Sequence, residues 1–173
     1  MALFNPSRDE VRAFFFETWH KFAISKPLSF ETQKAKPLSF ETQKAKLLTP
    51  LEQLALQVMQ MHPEYHAILN QPDLYREQAY YPELGETNPF LHMSLHLSIL
   101  EQLSINQPIG IAGIYQLLLA KYQDAHSFEH KAQHDILDCL GETIWLAQRN
   151  NAALDSAHYV QLMQQKAGLP AGN

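Results

Sequence analysis

The sequence predicts an all-α protein, a single bundle of about five main helices followed by a short C-terminal helix. Apolar residues recur three and four positions apart, as Phe15, Trp19 and Phe22 do in the first predicted helix. Capping residues stand directly before proline at Asn5-Pro6 and Thr49-Pro50, a pattern typical of helix starts. No segment alternates polar and apolar residues as a half-buried strand does.

Start signals place the first two helices. The first is expected to begin at Asn5, which precedes a proline at the first helical position. The second is expected to begin at Thr49, because the run Thr-Pro-Leu-Glu forms a capping box. Pro63 then interrupts the helical pattern, and one further short turn is expected through Ile68.

The later segments are bounded in the same way. Residues 71–87 form a polar and aromatic loop whose length is typical of functional loops. The helix after it is apolar on most sides, which predicts a central position. The third predicted helix runs from Asn88 to about Ser104, and the fourth begins at Pro108. The fifth runs from a cap at Asp124 to about Asn150. The short C-terminal helix runs from Asp155 to Lys166 and ends before Gly168.

One stretch is duplicated without change. The decapeptide at 27–36 recurs as 37–46. Solenoid repeats run to about 20 residues or more, so this copy is interpreted as a duplication inside a loop, residues 26–48. We expect a solvated linker there, the alternative being a basic patch for a partner. The chain of 173 residues is otherwise expected to form a single domain, residues 1–173.

Composition excludes several classes of protein. The net charge of −5 gives no electrostatic reason to expect a nucleic-acid partner. No apolar run approaches the roughly 20 residues of a membrane span, and the first residues lack the pattern of a secretory signal. A cytoplasmic protein is therefore expected. Cys139 cannot form an internal disulfide with another cysteine, and we expect a buried structural thiol rather than a catalytic one.

Histidines are the most informative residues. The chain has nine, and four pairs are spaced by four residues: 62/66, 92/96, 126/130 and 130/134. Random placement would give roughly 0.4 such pairs. Residues four apart on a helix share a face, so both imidazoles can reach one ion. Short turns predict that the third and fifth helices run parallel, which would bring their histidine-bearing N-terminal halves to the same end.

The sequence therefore predicts a candidate metal site. Its expected ligands are His92, His96, His126 and His130, with His66 and Glu129 as further candidates, and its expected ion is a transition metal, zinc or iron. The alternative is a non-catalytic interaction protein, as a homodimer, with structural histidines. No phosphate-binding loop or Gly-x-Ser-x-Gly motif is present, so the sequence names neither a reaction nor a small-molecule ligand.

Four motifs resemble a known family. They are Gly85-Glu-Thr-Asn-Pro-Phe-Leu-His-Met-Ser-Leu-His-Leu97, Asp124-Ala-His-Ser-Phe-Glu-His130, Leu140-Gly-Glu-Thr-Ile-Trp-Leu-Ala-Gln-Arg149 and His62-Pro-Glu-Tyr-His66. They resemble the uncharacterised bacterial family catalogued as domain-of-unknown-function family 1841. The resemblance implies a small helical bacterial protein without established activity, so it carries over no catalytic residue. The duplicated decapeptide departs from the family's shorter connection.

Overall fold

The computed structural model describes residues 8–25, 48–81 and 84–170. Regular structure in these ranges is entirely helical, so the predicted all-α class is confirmed. None of these helices is both long enough and apolar enough to cross a membrane. They are α1 (Arg8–Ser25), α2 (Pro50–Met61), α3 (His66–Leu69), α4 (Pro72–Tyr75), α5 (Pro89–Ile105), α6 (Ile111–Tyr122), α7 (Phe128–Arg149) and α8 (Ser156–Lys166), with a 3-10 turn at Pro63–Tyr65.

The chain divides into two compact units, residues 1–94 and 95–173, and the division falls inside α5. In the first unit α1 packs against α2 and α3. The predicted start of the first helix at Asn5 and the duplicated segment both lie outside the described residues. Apolar side chains form the core of this unit, among them Phe15, Phe16, Ala55, Val58, Met59, Leu69 and Phe90.

The start of α2 follows the predicted capping box. The Thr49 hydroxyl accepts a hydrogen bond from the Glu52 backbone N–H, and the Glu52 carboxylate accepts one from the Thr49 N–H. Lys21 of α1 also donates to Glu52. Burial alone would raise the pKa of Glu52, but the hydrogen bonds from Lys21 and Thr49 outweigh it and lower that pKa. The cap thus ties α2 to α1.

Two arginines of α1 hold the segment that follows α3. The Arg12 side chain is buried, and its Nη1 donates to the backbone carbonyls of Tyr75 and Arg76 at 3.2 and 2.7 Å. Arg8, which lies one turn before Arg12 on α1, donates to the backbone carbonyl of Gln78. The predicted loop 71–87 is therefore anchored, and it begins with the helical turn α4.

The second unit is built from α6, α7, α8 and the part of α5 after Ser94. Cys139 is buried in it, and burial raises the pKa of its thiol to about 11. The thiol is therefore protonated near neutral pH, which fits the structural role expected for it. Its neighbours in the core include Ile99, Ile111, Ile114, Leu118, Ala132, Ile136, Leu140, Tyr159 and Met163.

The predicted cap of α7 at Asp124 is wrong. The helix begins at Phe128, after Ser127, which has a left-handed backbone with φ 57° and makes no side-chain capping bond. Residues 123–127 instead form a tight turn after α6, in which the Ala125 N–H donates to the carbonyl of Tyr122. His126 therefore precedes the helix and does not share a helical face with His130.

Candidate metal centre

Three imidazoles meet in the second unit. His96 extends from α5, and His130 and His134 lie one turn apart on α7. The His96 ring centroid is 5.2 Å from that of His130 and 4.9 Å from that of His134, and the latter two are 4.4 Å apart. His96 is fully buried and the other two are half-buried. The group therefore lies at the margin of the core.

The nitrogen atoms of this group are spaced for a shared ligand. The Nε2 atoms of His130 and His134 are 3.1 Å apart, so without an ion one of them donates its hydrogen to the other. Each of the three rings offers a nitrogen within 4.8 Å of those of the other two. Zinc–nitrogen bonds of about 2.0–2.1 Å put two tetrahedral ligands about 3.3 Å apart. The pair on α7 already has nearly that spacing.

His96 is oriented by a buried amide. Its Nδ1 lies 3.0 Å from Oε1 of Gln133, whose side chain is 4 % exposed. The Gln133 Nε2 donates in turn to the hydroxyl oxygen of Tyr115 at 3.5 Å. Burial raises the pKa of Tyr115, which keeps the phenol protonated. A chain of three polar groups thus leads from the imidazole of α5 to α6.

A second pair of imidazoles lies in the first unit. The rings of His62 and His92 meet edge to face at 4.7 Å, and His62 also stacks on Tyr65 at 5.2 Å. The Nδ1 of His62, a residue that is 1 % exposed, lies 2.7 Å from the carboxylate of Glu64. Because a carboxylate only accepts, this Nδ1 carries the hydrogen and Nε2 is the nitrogen with the lone pair.

His66 has a different environment from His62. Its Nε2 is 2.8 Å from the backbone carbonyl of Met59, and its ring lies 4.5 Å from that of Trp19. The carbonyl only accepts, so the Nε2 of His66 carries a hydrogen and is not available to an ion. The interruption of the helix at Pro63 separates the two rings, because the intervening turn is 3-10.

Two predicted ligands, His126 and Glu129, are not members of the group of candidate ligands. His126 and Glu129 are both exposed, His126 in the turn before α7 and Glu129 in the first turn of the helix. His134, which joins His96 and His130 in this group, is absent from the predicted set of ligands. The 130/134 spacing was the signal that could have found it, since both residues fall within one uninterrupted helix. His62 is also absent from the predicted ligands, although the sequence analysis names the 62/66 pair.

Comparison with known proteins identifies the family. The model of DUF1841, described as a domain of unknown function, matches residues 38–165. This range includes every histidine of both groups and begins inside the second copy of the duplicated decapeptide. Neither the curated proteins nor the solved structures gave a match to the chain.

Proposed function

The chain belongs to the DUF1841 family, and we propose that it binds a divalent transition-metal ion, zinc or iron. The proposed ligands are His96, His130 and His134. One observation carries the proposal: three imidazoles from two helices meet, with two of their Nε2 atoms 3.1 Å apart.

The chemistry of the donors favours this class of ion. Imidazole nitrogens suit zinc, iron, nickel and copper, whereas magnesium and calcium prefer oxygen ligands. Among the described residues, the group of candidate ligands around these rings contains histidines and no carboxylate. A neutral, nitrogen-only set therefore supports a transition metal over a hard cation.

The spacing of the two histidines on α7 supports their role as ligands. Residues four apart on a continuous helix share a face, and His130 and His134 lie side by side in this way. An ion held by three imidazoles with one open position would supply an activated water, whose pKa falls toward about 7, or a place for a thiolate.

Metal content and uptake test the proposal. Tag-free protein, purified without chelator, is assayed for transition metals and then titrated with Zn²⁺ and, anaerobically, Fe²⁺. We expect about one equivalent bound per chain, and the same in the control His20→Ala, which alters an exposed histidine of α1. Less than about a tenth of an equivalent, with no uptake of either ion, would overturn the proposal.

The alternative function is a non-catalytic interaction protein that forms a homodimer. An exposed aromatic patch on the first helix would favour it. In α1, however, Phe15 and Phe16 are 1 % and 4 % exposed, so these aromatic residues serve the core of the first unit. A metal-free chain that sediments as a dimer in the same preparation would support this alternative.

A further inference from the structure

We propose that Gln133 is a positioning residue that selects the nitrogen with which His96 faces the ion. This inference rests on the proposed metal site and adds to it the group that prepares one ligand. Gln133 and His96 are both buried, and their side chains meet at 3.0 Å between Oε1 and Nδ1.

The first step concerns the hydrogen on the imidazole. A neutral histidine carries one ring hydrogen, and only the other nitrogen has a lone pair for a metal. The Oε1 of Gln133 is an acceptor, so the hydrogen of His96 lies on Nδ1. The Nε2 atom is then the ligand nitrogen. Partners of this kind fix the orientation and tautomer of metal-binding histidines in general.

The second step concerns the orientation of the amide itself. If its oxygen and nitrogen exchanged places, Gln133 would donate to Nδ1 of His96 and force the hydrogen onto Nε2, which could not then bind an ion. A hydroxyl both donates and accepts, so Tyr115 alone does not select the orientation of the amide. In the productive orientation its oxygen accepts from the Gln133 Nε2 at 3.5 Å. In that arrangement Tyr115 keeps its own hydroxyl hydrogen for another acceptor. Metal binding and the direction of this chain of hydrogen bonds are therefore coupled.

Three substitutions test the role of Gln133. Gln133→Leu removes the acceptor at similar volume, Gln133→Glu keeps an acceptor at the same place, and Tyr115→Phe removes the hydroxyl that accepts from the amide nitrogen. Gln102→Leu is the matched control, because Gln102 is a buried glutamine of the same unit whose Nε2 donates to Ser98. Zn²⁺ affinity is measured by competition with a chelator, and ligand geometry by the visible spectrum of the Co²⁺-loaded protein.

The variants are expected to differ in how much Zn²⁺ affinity they lose. Gln133→Leu weakens Zn²⁺ binding by about 10–100-fold, the usual effect of losing such a partner, and Tyr115→Phe weakens it by less than about tenfold. Gln133→Glu retains binding and shifts the Co²⁺ bands, because a carboxylate makes the imidazole a stronger donor. Gln102→Leu leaves both the affinity and the spectrum unchanged.

The outcomes separate this inference from the proposed function. A parent protein that binds neither Zn²⁺ nor Co²⁺ overturns the metal site itself. A parent that binds, with Gln133→Leu binding equally well, overturns only the role of Gln133. Where Gln133→Leu does not fold, the other two variants decide: parental affinity in Tyr115→Phe together with a parental Co²⁺ spectrum in Gln133→Glu overturns the inference.

Discussion

Two pairs of histidines with identical spacing have different environments. His130 and His134 place their Nε2 atoms 3.1 Å apart. His62 and His66 turn to separate partners, His62 to the carboxylate of Glu64 and His66 to the carbonyl of Met59. The first pair lies within one helix, whereas the second is interrupted by a 3-10 turn.

The comparison shows what a spacing of four residues requires. Imidazoles four apart meet only where the chain between them completes a regular α-helical turn. Pro63 ends that regularity between His62 and His66. The 126/130 pair fails for a related reason, because the helix begins after His126. Continuity of the helix is therefore necessary for two imidazoles with this spacing to meet.

The strongest test replaces one histidine from each pair. We expect His130→Ala to lose most of the stabilisation by Zn²⁺ and His66→Ala to keep it. At a zinc concentration 100 times the parent Kd, binding stabilises the folded parent by about 2.7 kcal/mol, and a variant with a 100-fold higher Kd by about 0.4 kcal/mol. Urea unfolding with and without Zn²⁺ measures the difference.

His66→Ala has its own expected cost. The substitution removes the donor to the Met59 carbonyl and the ring beside Trp19, so unfolding without metal should require about 1–3 kcal/mol less. His130→Ala should change the metal-free stability less, because His130 is half-buried at the margin of the core. Equal Zn²⁺ stabilisation in both variants would show that the two pairs do not differ in function.

A smaller difference in stability is expected between substitutions at the starts of α2 and α7. Thr49→Ala should lower the free energy of unfolding by about 1 kcal/mol, because Thr49 caps α2 with its side chain. Ser127→Ala should change it by less than about 0.5 kcal/mol, because Ser127 makes no capping bond at α7. Thermal or urea unfolding of the metal-free proteins tests this contrast, and equal losses would contradict it.

The smallest expected effect concerns the partner of His62. Glu64→Gln replaces a carboxylate acceptor with a neutral one, and Glu64 is largely exposed, so unfolding should cost only about 0.5 kcal/mol less. Glu17→Gln, at an exposed position of α1, is the control. A loss above about 2 kcal/mol would mean that this carboxylate holds the turn after α2 rather than only the ring.

Local chemistry determined most of the secondary structure. The capping box at Thr49 is present, Asn88 accepts from the N–H groups of Phe90 and Leu91 at the start of α5, and Asp155 caps α8. Such caps are recognisable because donor and acceptor lie within three residues of each other. The spacing of apolar residues predicted the all-α class for the same reason, since it depends only on the helical period.

The three-dimensional structure alone decided which histidines meet. The sequence predicts the start of α7 at Asp124, but a tight turn follows α6 and the helix begins at Phe128, which leaves His126 outside it. Partners of the rings are also remote in sequence: Gln133 lies 37 residues from His96, and Trp19 of α1 lies beside His66 of α3. The helical period places imidazoles on one face of a helix, but long-range packing determines which residues of other helices contact that face. The sequence therefore established a histidine-rich helical protein, and tertiary packing selected His96, His130 and His134 as the rings that come together.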